Sequence, residues 1–199
     1  METLNSYIKE HITKSIHTKE QILQNDELVA QIREASLKIL QAYKAGFKTL
    51  IAGNGGSAAD AQHIAAEFVS RFYFDRDGLP SIALTTDTSV LTAIGNDYGY
   101  EKLFVRQLQA HAKSGDIFIG ISTSGNSVNI LEALKFCQHN GIFSVGFAGV
   151  NGGKMKEFCD ICIKVPSNET PRIQESHILM GHIICAIVEE TLFGKGFGI

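Results

Sequence analysis

Residues 116–127 read DIFIGISTSGNS, and this stretch decides the fold. Its first half, Asp116–Ile121, is apolar on both sides of the strand period, which is typical of a central strand covered by helices on both faces. Its second half is a run of Ser, Thr, Gly and Asn that leads into a helix starting near Val128. The stretch therefore predicts a buried strand, a polar loop and a helix in immediate succession.

The same alternation of strand and helix extends along most of the chain. Short β-type runs are punctuated by Gly, Ser, Asp or Asn and separated by helical segments. This rhythm predicts βαβ units, and hence a three-layer α/β/α sandwich with a five-stranded parallel sheet. The candidate strands are Thr49–Gly53, Ser81–Leu84, Asp116–Ile121, Phe143–Phe147 and Asp160–Val165.

Helical periodicity dominates the two ends of the sequence. From Leu4 to about Ala45 apolar residues recur at three- and four-residue steps, which predicts two helices broken near Asn25 and stopped at Gly46. We expect this pair to have little sheet to cover and to serve self-association in a helical bundle. A final long helix is predicted from about Arg172 to Leu192.

Composition limits the classes of function. The chain has 199 residues, 44% of them hydrophobic, and a net charge of -3, which suits one domain over residues 1–199 and gives no electrostatic reason to expect a nucleic-acid or membrane partner. The first twenty residues lack the apolar segment of a signal peptide, and no later stretch was expected to span a bilayer, so a cytoplasmic location is predicted. The Cys159–Cys162 pair has redox or zinc spacing but no second pair nearby, which favours a structural role.

Two loops follow predicted strands and open predicted helices. The first is Gly53–Ser57 (GNGGS), before a helix expected from about Ala58 to Phe72, and the second is Ser122–Ser127 (STSGNS). Small residues let the backbone approach an anion, while hydroxyls and helix N–H groups donate hydrogen bonds to it. In an open parallel sheet both loops lie at the carboxyl edge, where ligands collect. The second loop is thus a candidate phosphate site.

Two other interpretations apply to these loops, a purely structural one and a nucleotide site. Ser, Thr, Asn and Gly also serve simply as helix caps and turns. Gly53-x-Gly55-x-x-Ala58 fits a loose dinucleotide fingerprint, but Asp87 is too late for the usual acidic partner, and neither loop has the Gly-Lys-Ser/Thr ending of a P-loop. No nucleotide cofactor is expected.

Several motifs together resemble the phosphoheptose isomerase family of sugar-isomerase (SIS) domain proteins, across nearly the whole chain. They are Gly53–His63 with Ala66-Glu67, then Gly95-Asn96-Asp97, then Gly120–Ser127, and finally Arg172–Glu175 with His177 and His182. The resemblance implies an aldose–ketose isomerase that converts sedoheptulose 7-phosphate to D-glycero-D-manno-heptose 7-phosphate for lipopolysaccharide or surface-glycan synthesis. It also implies a homo-oligomer, a tetramer as in the family, with active sites at subunit interfaces.

The resemblance assigns roles to matching positions. The phosphate would be held by Ser122, Thr123, Ser124 and Ser127, and the rest of the substrate by Asn54, Gly55, Gly56, Ser57, Glu67, Asn96, Asp97 and Gln174. Glu67 and His182 would be the acid–base pair, and in some members a zinc ion is held at positions matching His63, Glu67, Gln174 and His182. His177 has no assigned role and is expected at the surface or an interface.

Helical geometry bears on these assignments. His63 and Glu67 form an i,i+4 pair away from the apolar stripe of their helix, so we expect another surface, most simply that of a neighbouring subunit, to cover them. Gln174 and His182 differ by about 80° around the last helix but by about 12 Å along it. They can meet one site only if their side chains lean together or the site crosses subunits.

Two rival functions stay open from the sequence. One is a non-enzymatic SIS protein that binds a sugar phosphate or a protein partner, such as a regulator of replication initiation. The other is an isomerase or lyase of a different sugar phosphate, because a phosphate loop does not read carbon number.

Overall fold

The computed structural model describes residues 2–197. Its helices are α1 (Glu2–Leu23), α2 (Asp26–Lys44), α3 (Gly56–Val69), α4 (Thr88–Tyr98), α5 (Leu103–His111), α6 (Val128–His139) and α7 (Thr170–Phe193). Its strands are β1 (Thr49–Gly53), β2 (Ser81–Ala83), β3 (Ile117–Ile121), β4 (Phe143–Ala148) and β5 (Ile161–Lys164), and short 3-10 turns occupy Tyr100–Lys102 and Met155–Glu157. All five strands match the predicted segments to within a residue at each end.

The five strands form one parallel sheet in the order β2-β1-β3-β4-β5. Strand β3 lies at its centre and is buried at every position, as its continuous apolar run predicts. Chain order reverses direction between β1 and β3, where Gly53 pairs with Ile121. This switch point opens a crevice at the carboxyl ends of β1 and β3, the usual ligand position in such sheets.

Alternate residues of each strand feed two apolar cores. Ile119 and its neighbours on one face pack with α2, α3 and α7, and Phe118 on the other face packs with α5 and α6. Helices therefore cover both faces, which confirms the three-layer sandwich. Cys159 fits a structural role, since its thiol donates to the Met155 carbonyl.

The two leading helices differ from expectation in one respect. Asn25 caps α2, its side chain accepting the Leu28 N–H, so the predicted break is correct. However, α2 covers the sheet beside β5, because Leu28, Ile32, Ala35 and Ile39 are buried in the core. The expectation that both helices have little sheet to cover is wrong for α2. Helix α1 keeps an exposed apolar side, formed by Leu4, Tyr7, Ile8, Ile12 and Ile16.

Helix α7 is long and apolar enough to cross a membrane by length and composition alone, which the sequence reading did not anticipate. It nevertheless packs against α2 and α3 and buries His177 and Glu189. A core helix passes the same test, and its packing identifies α7 as one.

Candidate active site

Three ionisable side chains meet where α3 and α7 pack together. His63 and Glu67 lie one turn apart on α3, and His182 lies on α7. Gly181 allows this approach, since a Cβ there would lie 2.6 Å from Ile64 Cδ1. His182 directly follows Gly181 and His63 directly precedes Ile64, so the two histidines come into contact. We call His63, Glu67 and His182 the α3/α7 cluster.

The cluster is held by short polar contacts. His63 Nε2 lies 3.1 Å from Glu67 Oε1 and 3.1 Å from His182 Nε2. The two imidazole rings meet edge to face with centroids 4.9 Å apart, and Phe72 packs against His182. His63 is exposed and the other two are half-buried, so the cluster is open to a ligand.

One candidate ligand of this cluster is a metal ion. One ligand atom from each of the three residues lies within 4.8 Å of the others. Two imidazole nitrogens and a carboxylate oxygen are a donor set that zinc accepts. The predicted metal ligands His63, Glu67 and His182 thus assemble within one chain, without the neighbouring subunit that the sequence reading expected to be needed.

Gln174, the fourth predicted ligand, lies elsewhere within this chain. Its amide packs on Gly56, where a Cβ would meet Gln174 Nε2 at 2.5 Å. Gln174 contacts Gly56 and His182 contacts His63, so α3 and α7 run side by side in the same direction, with Gln174 about 12 Å along α7 from His182. The side chains do not lean together.

The Ser122–Ser127 loop joins β3 to α6 and gathers its hydroxyls. Ser122 Oγ lies 2.8 Å from Ser127 Oγ and 3.5 Å from Ser124 Oγ. Ser127 occupies the N-cap of α6, yet its side chain makes no capping hydrogen bond in the described chain. These hydroxyls at a helix N-terminus suit an anion.

Glycines set the shape of this loop. Gly125 has φ 65°, and a Cβ there would lie 2.1 Å from the Gly152 carbonyl oxygen. The loop backbone is also tied to the next strand, since the Thr123 carbonyl accepts the Gly149 N–H. Thr123 and Ser124 line a polar cavity of about 290 Å³ there.

The Gly53–Ser57 loop is joined to α6 by paired amides. The Asn54 and Asn129 side chains exchange two hydrogen bonds, and the Tyr100 hydroxyl donates to Asn54 Oδ1. Asn54 and Gly55 line a cleft of about 460 Å³ with Gly95 and Tyr100. Sequence reasoning missed Asn129 and Tyr100, whose contacts depend on strand order rather than on any local motif.

Four other predicted substrate-binding residues do not line this cleft. Asn96 and Asp97 are exposed on α4 and hydrogen-bond to each other. Ser57 is buried at 3% exposure. Gly56 contacts Gln174, as described above, beside the start of α3.

Asp60 lies one turn before His63 on α3, and the sequence reading gave it no role. Burial raises the pKa of Asp60 to about 6, although nearby His63 acts to lower it. Its Oδ2 atom is buried without a hydrogen-bond partner in residues 2–197. Asp60 therefore adds a partly buried carboxyl group to α3, one turn before His63.

The expectation for His177 is wrong. Its side chain is fully buried on α7 beside Phe147, and its Nε2 lies 3.2 Å from the Ala148 carbonyl oxygen. Burial lowers its pKa to about 4. The helix period alone did not reveal that this side of α7 faces the sheet.

The serine loop and the cluster lie at different levels of the sandwich. Helix α3 starts at the carboxyl edge, beside the loops, and runs back along the sheet. Glu67 is eleven residues beyond Gly56, about 16 Å along the helix axis. A seven-carbon chain with a terminal phosphate spans about 10 Å at ordinary bond lengths. The Glu67 backbone therefore lies further along α3 from Gly56 than such a ligand is long, and its side chain covers part of that distance because helical side chains lean toward the N-terminus.

Comparisons with known proteins show the family to which the chain belongs. Residues 10–149 match the SIS domain family model. The phosphoheptose isomerase 2 of Campylobacter jejuni subsp. jejuni is 71% identical over 99% of this chain and 98% of its own length. The phosphoheptose isomerase of Aneurinibacillus thermoaerophilus is 66% identical over 98% of both chains. The solved phosphoheptose isomerase of Neisseria gonorrhoeae is 40% identical and superposes with a TM-score of 0.88, covering 94% of this chain and 99% of its own.

Proposed function

The chain belongs to the phosphoheptose isomerase family of SIS-domain proteins, and from that premise we propose that it converts D-sedoheptulose 7-phosphate to D-glycero-D-manno-heptose 7-phosphate. The observation that carries the proposal is the α3/α7 cluster, in which a carboxylate and two imidazoles lie within 4.8 Å of one another. A purely binding SIS domain has no need of such a group. The enzyme would act in the cytoplasm and supply heptose for surface glycans.

The reaction moves a proton between C1 and C2 through an enediol, so it needs a base at carbon and a proton carrier at oxygen. Glu67 takes the first role. Its Oε1 faces His63, and Oε2 makes no hydrogen bond within residues 2–197, so one oxygen is available to the substrate. His182 takes the second role, in ring opening or in moving protons between the two oxygens, since an imidazole nitrogen can both give and accept a proton.

The serine loop anchors the other end of the substrate. Ser122, Thr123, Ser124 and Ser127 hold the phosphate, while Asn54, Gly55, Gly56, Asn96, Asp97 and Gln174 line the sugar. The polar cavity beside Ser124 and the Ser127 hydroxyl, which makes no capping hydrogen bond to its own helix, support this assignment. Binding energy at the phosphate then orients the reacting carbons.

We further propose that the cluster binds zinc. The three donors fit the ion, which when bound would polarise the substrate carbonyl. Gln174 would be a weak fourth ligand, and within one chain its amide packs on Gly56 instead. Metal analysis of protein purified without chelator or affinity tag should find about one zinc per chain, and its absence would contradict the proposal.

Two observations support an active site shared between chains. The Glu67 backbone lies about 16 Å along α3 from Gly56, and the Gln174 amide packs on Gly56 rather than on the ligands it was predicted to join. A second copy that places its loop and Gln174 against this cluster meets both requirements. The exposed apolar side of α1 suits a helical interface in a homo-oligomer, most simply a tetramer.

The substrate assay is the direct test of the proposed function. Aldose formation should be followed with sedoheptulose 7-phosphate and, separately, with fructose 6-phosphate. We expect turnover of the first and at least a hundredfold lower kcat/KM for the second. Equal or better use of fructose 6-phosphate would support an isomerase of another sugar phosphate, and no turnover of either would support a binding protein.

A further inference from the structure

A buried ion pair ties together the two helices that carry the α3/α7 cluster. Arg76 follows α3 in the chain, and Glu189 lies on α7, two turns after His182. Arg76 Nε donates to Glu189 Oε1 at 2.9 Å, and the two side chains are only 2% and 1% exposed. The pair lies outside the loops and the cluster already described.

Arg76 hydrogen-bonds to the last turn of α3, which includes the proposed base Glu67. Its Nη2 donates to the Glu67 carbonyl oxygen at 2.9 Å, and its Nη1 donates to the Phe68 carbonyl at 2.7 Å. The last carbonyls of a helix have no partners within it. The guanidinium supplies those partners and holds the last turn of α3, including the backbone of Glu67.

Glu189 holds the segment from which Arg76 extends. Its carboxylate accepts the backbone N–H groups of Phe72, Tyr73 and Phe74 as well as the Arg76 side chain. Burial alone would raise the pKa of Glu189, but these donors hold it below its ordinary value. The carboxylate is therefore charged and fully bonded. The resulting path runs from Glu67 through Arg76 to Glu189 and along α7 to His182.

We propose that Arg76 and Glu189 are positioning residues for the isomerisation. They fix the last turn of α3 against α7 and thereby set the separation between Glu67 and His182. This inference rests on the proposed function for its kinetic effect, but its structural effect can be measured without turnover. Both side chains are buried and therefore not open to a ligand.

The test compares two variants with the wild-type protein. Arg76→Lys keeps the charge but loses the planar fork that reaches Glu189 and two carbonyls together. Glu189→Gln keeps the shape and loses the charge. We expect kcat to fall roughly 10- to 100-fold, as for small displacements of reacting groups, with KM within twofold because the serine loop is untouched.

Asp116→Asn is the matched control. Asp116 is also a fully buried carboxylate, and it accepts two backbone N–H groups and the Lys48 ammonium, but its partners Lys48 and Lys113 lie outside α3 and α7. It should lower the unfolding temperature while kcat stays within twofold of wild type. A general loss of stability is thereby separated from positioning.

A second readout reports the geometry directly. In protein with ¹³C-labelled histidine rings, the contact between the His63 and His182 rings should give a nuclear Overhauser effect in wild type and in Asp116→Asn, and a weaker or absent one in Arg76→Lys. If Glu189→Gln does not fold, Arg76→Lys decides alone. Folded Arg76→Lys with kcat within twofold, or with lowered kcat and an unchanged ring contact, overturns the inference. If wild type does not turn over the heptulose phosphate, the proposed function fails. The contact between the His63 and His182 rings still tests whether Arg76 and Glu189 fix α3 against α7.

Discussion

At the scale of single residues, Glu67 carries the largest expected effect. Glu67→Gln preserves shape and removes the base, so kcat should fall by about 10² to 10⁴, while inhibition by inorganic phosphate stays unchanged. Steady-state kinetics measures both quantities. The exposed Glu157→Gln is the control and should behave as wild type. Wild-type turnover by Glu67→Gln would remove this residue from the mechanism.

Buried His177 gives a prediction for stability against pH. Its pKa is about 4 in the folded chain and about 6.5 when unfolded, so the unfolded state binds more protons between these values. The contribution of His177 to the free energy of unfolding is fully present above pH 6.5. It is lost as pH falls toward 4, by up to about 3 kcal/mol.

Denaturant unfolding of wild type and His177→Gln at several pH values measures this effect. Glutamine keeps a donor toward the Ala148 carbonyl, so the variant should show a smaller fall in stability on acidification. Asp60, whose pKa is raised to about 6, acts in the opposite direction in both proteins and cancels in the difference. Identical pH dependence in the two proteins would contradict the assignment.

Some residues of the site could be predicted from the sequence and others could not. His63 and Glu67 could be paired from their i,i+4 spacing, because helical geometry is local. Asn129, Tyr100 and Asp60 could not be identified, since their contacts and burial depend on the order of strands and on the packing of α3. His177 was misplaced for the same reason.

At the scale of elements, the serine loop is the testable unit. Ser127 does not cap its own helix through its side chain, so Ser127→Ala should weaken phosphate binding without unfolding α6. One lost hydrogen bond to a charged group corresponds to a KM about 10- to 100-fold higher, with kcat little changed.

Ser114→Ala, at an exposed position before β3, is the matched control and should leave KM unchanged. A Ser127→Ala variant with normal KM and normal phosphate inhibition would separate this loop from the substrate. A lowered kcat with normal KM would instead place the loop near the reacting carbons.

The positions of the strands were easier to predict than the packing partners of the helices. Each of the five was located because a short apolar run ended in a Gly-, Ser- or Asp-rich turn, and β3 was recognised as central from its apolar residues on both faces. The packing of α2 on the sheet was not predicted, because an amphipathic helix has the same pattern of apolar residues whether it covers a sheet or another subunit.

At the scale of the whole molecule, the prediction concerns association through α1. Ile12 is 56% exposed on the apolar side of this helix, so Ile12→Glu places a charge in the proposed interface. We expect a smaller species on size-exclusion chromatography and a loss of activity, because the site would no longer be shared.

Thr13→Glu, also exposed but turned away from that side of α1, is the control for added charge and should stay assembled and active. Dissociated Ile12→Glu protein with full activity would show that one chain is sufficient. In that case the substrate would have to reach the serine loop and the cluster of the same chain.

The most direct test of the isomerisation follows solvent deuterium. Sedoheptulose 7-phosphate should be incubated with the protein in D₂O and the heptose product examined by NMR at C2. Proton transfer through an enediol with Glu67 as the base predicts deuterium at C2 with wild type and at least about a hundredfold slower product formation with Glu67→Gln. Product carrying only hydrogen from C1, formed equally well by the variant, would contradict the account.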